Sequence, residues 1–148
     1  MFQSFILEVF IIALASFVQL TNAVFFNAVK PDLALVLVLA MAAYDKRWVR
    51  RISWLIVAAF ILKFMPQFDI QALFFVLAAL SGMLLIDYLP WQRLIGVAVA
   101  VAVGTLVVNF KLFGLEWGAT FTEMLFNVPL ALLLTYLASL AYGKKEIR

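Results

Sequence analysis

Six apolar segments follow one another along this chain of 148 residues, separated by short stretches that carry Pro, Asn or charged side chains. Hydrophobic residues make up 68% of the sequence and charged residues 13%, whereas a soluble domain is about half apolar and a quarter charged. A domain of this size has too much surface to hide such an excess in a core. The excess apolar surface is therefore expected to face membrane lipid, and we predict one integral membrane domain over residues 1–148.

The length of the segments indicates helices. A spanning helix needs about 17–25 mainly apolar residues, because it rises about 1.5 Å per residue through about 30 Å of hydrocarbon. The sequence therefore predicts an all-α bundle of six transmembrane helices, covering about residues 5–23, 31–48, 49–65, 70–89, 94–110 and 120–142. The second apolar stretch is short, so its helix either extends into residues 45–48 or lies partly inside the bundle.

The distribution of Lys and Arg predicts the orientation. With six helices and a cytoplasmic N-terminus, the outer side holds Lys30, Lys63 and Lys111. The cytoplasmic side holds Lys46, Arg47, Arg50, Arg51, Arg93, Lys144, Lys145 and Arg148. This bias follows the positive-inside rule and places both termini in the cytoplasm. The basic residues thus indicate membrane orientation and contact with lipid, and no nucleic-acid partner is expected.

Small residues recur at helical spacing in two of the segments. Gly96, Ala100 and Gly104 are four residues apart, and Ala78 and Gly82 have the same spacing. Residues four apart lie on one face of a helix, and helices in lipid associate through such close backbone contacts. We expect the two stripes to face neighbouring helices, although Ala and Gly are also simply common in membrane segments.

Some acidic residues have local explanations. Glu8 lies about one turn inside the first helix. It is either a partner contact or proton site, or a carboxylate that the helix dipole favours near the helix N-terminus. Asp32 stands at the start of the second helix, where the dipole also favours an anion. Glu123 follows Thr120 by three residues and predicts a capping box.

Asp87 is different, because it lies at the C-terminal end of the fourth helix, where the dipole disfavours an anion. It needs a cationic partner, and Arg93 and the cluster 46–51 are on the same side. Two interpretations stay open. The first is an ion pair that joins two cytoplasmic loops, and the second is a docking site for another protein.

The absence of Cys and His excludes thiolate chemistry, zinc sites with those ligands and histidine relays. No acidic, basic or hydroxyl side chains pair convincingly, so we expect no enzyme, no cofactor and no metal. A second hypothesis is a substrate-binding or transport subunit, which predicts a cavity open to the outer side. Its candidate lining residues are Asn109, Lys111, Glu116 and Trp117.

Three stretches together resemble the rod shape-determining protein MreD family. The first is Lys30-Pro31-Asp32-Leu33, followed by the apolar run 34–43. The second runs from Gly82 through a leucine pair to Asp87, one residue longer than the family pattern, with Gly96 downstream. The third is Asn127-Val128-Pro129 in the last helix.

The resemblance implies a non-catalytic scaffold subunit of the bacterial cell-elongation machinery in the inner membrane. The implied partners are MreC, a RodA-type glycosyltransferase and a class B penicillin-binding protein. The implied motif or partner-contact residues are Pro31, Asp32, Gly82, Asp87, Asn127 and Pro129. The family is also similar in fold to the S components of energy-coupling-factor transporters, so a subunit that binds a vitamin or another small molecule is the alternative.

Overall fold

The computed structural model describes residues 2–21, 31–62, 70–88, 92–111, 114–115 and 117–142. These residues form six α-helices and one short antiparallel hairpin, which confirms the all-α class. The elements are α1 (Phe2–Leu20), α2 (Leu33–Ala42), α3 (Trp48–Leu62), α4 (Ile70–Tyr88), α5 (Arg93–Val108), β1 (Phe110–Lys111), β2 (Gly114–Leu115) and α6 (Trp117–Tyr142).

The short helix α2 is the centre of the bundle. All of its residues except Leu33 and Leu37 are buried, and it packs against each of the other five helices. The predicted extension into residues 45–48 is wrong, because the helix ends at Ala42 and the Asp45 carboxylate then accepts the backbone N–H of Arg47 in a turn. The alternative, a short helix inside the bundle, is confirmed.

Side-chain contacts show that successive helices run in opposite directions. The starts of α1, α3 and α5 and the ends of α2, α4 and α6 lie together at one end of the bundle. We call this the basic end, because it holds Arg50, Arg51 and Arg93. The contacts there are Glu8–Arg50, Arg51–Ala42, Arg51–Asp87, Arg93–Tyr44 and Tyr44–Thr135. We call the opposite end the amide end, after the side-chain amides of Gln19 and Asn109. The contacts there are Gln19–Asp32, Asn109–Glu123 and Phe74–Phe110.

Five of the six helix starts differ from the prediction, by one to three residues. Helix α6 begins at Trp117 rather than at Thr120, and α3 begins at Trp48. The capping box of Thr120 and Glu123 is therefore wrong, since Thr120 lies within the helix and the Glu123 carboxylate accepts a hydrogen bond from Asn109 instead. The predicted helix ends near 65 and 89, and the basic residues Lys30, Lys63, Lys144, Lys145 and Arg148, lie outside the described residues.

The exterior of the bundle is strongly apolar. Phe10, Phe60 and Phe121 are each more than 60% exposed. Within the described part of the chain, one stretch is long and apolar enough to cross a membrane, Trp117–Leu140, of which 17% is buried in the molecule. The other apolar stretches are shorter than that criterion: Ser4–Leu20, Leu33–Ala42, Ala72–Tyr88 and Arg93–Val108. Length and composition therefore single out α6 as a candidate membrane span.

Candidate functional site

The first turn of α2 is held by side chains from its own cap and from α1. The Asp32 Oδ1 atom accepts the backbone N–H of Leu35 at 3.1 Å and the Gln19 Nε2 donor at 3.0 Å. The Gln19 Oε1 atom accepts the N–H of Ala34 at 3.0 Å. The first N–H groups of a helix have no partner inside the helix, so these two side chains satisfy donors that would otherwise be buried unpaired.

Helices α5 and α6 complete this cluster. The Asp32 N–H donates to Asn127 Oδ1 at 3.0 Å, and Asn127 Nδ2 donates to Thr105 Oγ1 at 3.0 Å. Asn127 is 0% exposed and Thr105 1% exposed. We call Gln19, Asp32, Thr105 and Asn127 the amide cluster. It joins four helices through polar groups that are costly to bury without partners.

The two prolines of the resembling stretches flank this cluster. The Pro31 carbonyl accepts the N–H of Leu33 at 3.0 Å, immediately before α2. Pro129 lies two residues after Asn127 on the exposed face of α6, and the helix continues through it to Tyr142. A proline removes one helical N–H, so the backbone of α6 is short of one hydrogen bond close to the amide cluster.

Arg51 organises the basic end. Its guanidinium is 1% exposed and donates at 2.6 Å to the carbonyls of both Ala42 and Asp45. It also binds both carboxylate oxygens of Asp87, with Nη2 at 2.9 Å from Oδ1. One guanidinium thus caps the C-terminus of α2 and ties α3 to α4. The structure places Asp87 against Arg51, whereas Arg93 lies over the ring of Tyr44 at 5.2 Å.

A second acidic residue lies beside Arg51. The Asp45 carboxylate accepts hydrogen bonds from Arg47 and from Arg50, both at 3.0 Å. Burial would raise the pKa of this carboxyl, but the hydrogen bonds from Arg47 and Arg50 outweigh that effect and hold the pKa below 3.8. Arg50 also approaches Glu8 at 3.6 Å. Glu8 is 6% exposed, so it faces an arginine of its own chain rather than the surface.

Two of the small residues of α4 and α5, Gly82 and Gly104, lie against α2. A Cβ on Gly82 would be 2.7 Å from Leu39 Cδ2 and 3.5 Å from the Cβ of Ala100. A Cβ on Gly104 would be 3.0 Å from Leu35 Cδ2. Ala78 and Ala100 are 0% exposed. Gly96 is buried as well, yet a Cβ there would meet no atom within 4 Å among the described residues.

The residues proposed for an outer cavity do not form one in the described part of the chain. Trp117 is 74% exposed, and Asn109 Nδ2 donates to Thr105 O and to the Glu123 carboxylate. Glu116 and the side chain of Lys111 lie outside the described residues. An apolar groove of about 530 Å³ is found elsewhere, lined by Phe10, Ala13, Leu14, Phe17, Leu20 and Ile61. These side chains offer no hydrogen bond to a polar substrate.

Comparison of the chain with models of known protein families, with curated proteins and with solved structures found no match in any of the three. The site is therefore described by its own geometry. Reasoning from the sequence missed Gln19 and Thr105 as partners of Asp32 and Asn127. The only available signal was a polar side chain inside an apolar segment, which does not say which helix it faces.

Proposed function

We propose that this protein is a six-span membrane protein that acts as a non-catalytic scaffold subunit of the bacterial cell-elongation machinery. One observation carries the proposal. The hydrogen bond from the Asp32 N–H to Asn127 Oδ1 joins two of the three stretches that resemble the MreD family. Two stretches that both resemble this family are therefore in contact, although they lie far apart in the chain.

The surface of the molecule supports the membrane part of the proposal. Exposed phenylalanines such as Phe10 and Phe60 suit lipid and not water. Helix α2 rises only about 15 Å over its 10 residues, about half of a hydrocarbon core. It is surrounded by five other helices, so its termini and its polar cap are shielded from lipid. The basic end then faces the cytoplasm, as the positive-inside rule requires.

The third resembling stretch supports the scaffold part of the proposal. Gly82 approaches Leu39 of α2, and Asp87 binds Arg51, which caps the C-terminus of the same helix. All three stretches therefore converge on α2. Side chains used in this way hold the bundle together rather than act on a substrate, and the outward faces of the other helices remain for partner subunits.

A pull-down from native bacterial membranes tests the proposal. The full chain would be tagged after Arg148 and extracted in mild detergent, and the co-purified proteins would be identified by mass spectrometry. We expect MreC-like and RodA-like proteins and a class B penicillin-binding protein. Recovery of transporter ATPase subunits, or of a stoichiometric small molecule, would overturn the scaffold function in favour of a substrate-binding subunit.

A reporter fusion tests the topology independently. A cytoplasm-specific reporter fused after Arg148 should be active, and an export-dependent reporter at the same position should be inactive. The opposite pattern would contradict the proposed orientation, whatever the pull-down recovers.

A further inference from the structure

The positive charge of the protein is concentrated at the basic end. The sequence and the helix directions together place eight Lys and Arg there with four Asp and Glu, so this end carries a net charge of +4. The amide end carries −1, which gives the +3 of the whole chain. Residues 143–148 directly follow α6 and are included, so the positive excess does not depend on the contacts they make. The four acidic residues of the basic end are Glu8, Asp45, Asp87 and Glu146.

Two cations of this end are left over when its ion pairs are assigned. Within the described ranges, neither Lys46 nor Arg93 pairs with a carboxylate. Glu146 lies outside the described residues, and one carboxylate cannot neutralise two cations, so at least one of the two stays available. The ion pairs of this end are Glu8–Arg50, Asp45–Arg47, Asp45–Arg50 and Asp87–Arg51.

Lys46 and Arg93 lie over the end of the bundle and not on its lipid-facing side. Arg93 precedes the buried Val97 by four residues, so it lies on the inward face of α5. Its guanidinium is 5.2 Å from the centre of the Tyr44 ring, just beyond the central helix α2. Lys46 follows Tyr44 by two residues, in the turn between α2 and α3. Both cations are exposed, and in the proposed orientation they face the cytoplasm.

The contact with Tyr44 positions Arg93 without using its hydrogen-bond donors. The Tyr44 hydroxyl donates to the carbonyl of Thr135 at 2.9 Å, which fixes the ring. The guanidinium lies over this ring and makes no hydrogen bond to the described residues, so its N–H groups remain for a ligand. A side chain that is already positioned loses less conformational freedom when it binds.

We propose that Lys46 and Arg93 bind an acidic segment of a partner protein on the cytoplasmic side. This inference deepens the proposed scaffold function and rests on its orientation. A guanidinium binds a carboxylate through two parallel hydrogen bonds, and an ammonium is a compact charge that suits a second carboxylate. Lipid headgroups surround the sides of the bundle, whereas these cations lie beyond its central helix. A protein segment therefore fits this position better than a lipid phosphate.

Carbodiimide coupling in inverted native membrane vesicles tests this contact directly. A water-soluble carbodiimide activates a carboxylate, the Lys46 amine displaces the activating group as a urea, and an amide bond links the two side chains. We expect mass spectrometry of the chain tagged after Arg148 to show Lys46 linked to an Asp or Glu of a co-purified elongation protein. Lys46→Arg should lose the link and keep the partner, because it keeps the charge.

Matched variants separate this contact from net charge and from folding. Lys46→Gln and Arg93→Gln should each lower the recovered partner about two- to fivefold, and about tenfold together. Arg93→Lys should keep the partner and add a cross-link at position 93. Lys63→Gln is the control, because Lys63 directly follows α3 at the opposite end and its loss removes the same charge. Lys46→Gln should leave the unfolding midpoint in detergent unchanged, because Lys46 is exposed.

Three results would overturn the inference while leaving the scaffold function intact. These are equal capture of elongation proteins by the double variant, coupling of Lys46 only to Glu146 of its own chain, and loss of bound phosphatidylglycerol instead of protein in the double variant. The last would show a lipid ligand. If Lys46 is linked to an acidic segment of a different protein and no elongation protein is recovered, the scaffold function fails and the contact with an acidic segment stands.

Discussion

The backbone N–H of Asp32 donates a hydrogen bond of 3.0 Å to the side-chain oxygen of Asn127, which lies 95 positions later in the chain. The Nδ2 atom of Asn127 in turn donates a hydrogen bond to the hydroxyl of Thr105. Because Asn127 is completely buried, neither of these bonds can be replaced by water. One amide side chain thus fixes the position of α6 relative to α2 and α5.

Replacement of this amide should be strongly destabilising. Asn127→Leu removes the donor to Thr105, whose hydroxyl keeps its hydrogen bond to Val101 O, and removes the acceptor for Asp32 N–H. A buried N–H left without a partner costs about 1–3 kcal/mol. We expect a clear fall in the unfolding midpoint in detergent, measured by tryptophan fluorescence. Thr122→Val on the same helix is the control and should stay within about 0.5 kcal/mol. Equal midpoints for the two variants would contradict the role of Asn127.

The Arg51–Asp87 pair should behave as a coupled unit. Arg51→Leu leaves two carbonyls and the Asp87 carboxylate without their donor, and breaking such a pair costs about 3–5 kcal/mol when it is buried. Asp87 is 25% exposed, so we expect the lower part of that range. In a double-mutant cycle, Asp87→Leu should cost much less when Arg51 is already Leu. Strictly additive effects would show that the two side chains do not stabilise each other.

The three glycines of α4 and α5 should respond differently to one added methyl group. In Gly82→Ala the new Cβ overlaps the buried Leu39, and in Gly104→Ala it presses on the buried Leu35. Overpacking of this kind costs about 1–3 kcal/mol. Gly96→Ala meets open space and should stabilise the helix by up to about 1 kcal/mol. Thermal unfolding of the three variants side by side tests this order, and a destabilised Gly96→Ala would refute it.

The pH dependence of stability should reflect Asp45. Its pKa in the fold lies below the ordinary value of 3.8 because Arg47 and Arg50 donate to the carboxylate. The ionised form is therefore favoured in the fold, and its stabilisation is complete above 3.8 and is lost as the pH falls through the lower, folded value. The difference in unfolding midpoint between the unmodified chain and Asp45→Asn should shrink as the pH is lowered from 7 to 3. If the difference in unfolding midpoint does not change with pH, Asp45→Asn acts through the shape of the side chain and not through the loss of its charge.

The positions of the helices could be predicted from the sequence because their causes are local. Each of the six helices overlaps a predicted apolar segment, and Asp32 begins α2 where Pro31 and the apolar run predict a start. Hydrophobicity and the lack of a proline N–H act on a few neighbouring residues. Boundaries were less accurate, as the early start of α6 shows, because the residues before Thr120 extend the helix without any cap in the sequence.

The sequence by itself therefore determined the helices, their number and the cationic partner that Asp87 requires, since charge and hydrophobicity act over one or two turns. Only the tertiary structure decided that α2 is central, that Arg51 rather than Arg93 binds Asp87, and that Asn127 reaches Asp32. It also decided that Glu123 faces Asn109 instead of capping its own helix. The physical reason is that a hydrogen bond between helices depends on which faces pack together, and local sequence does not specify that choice.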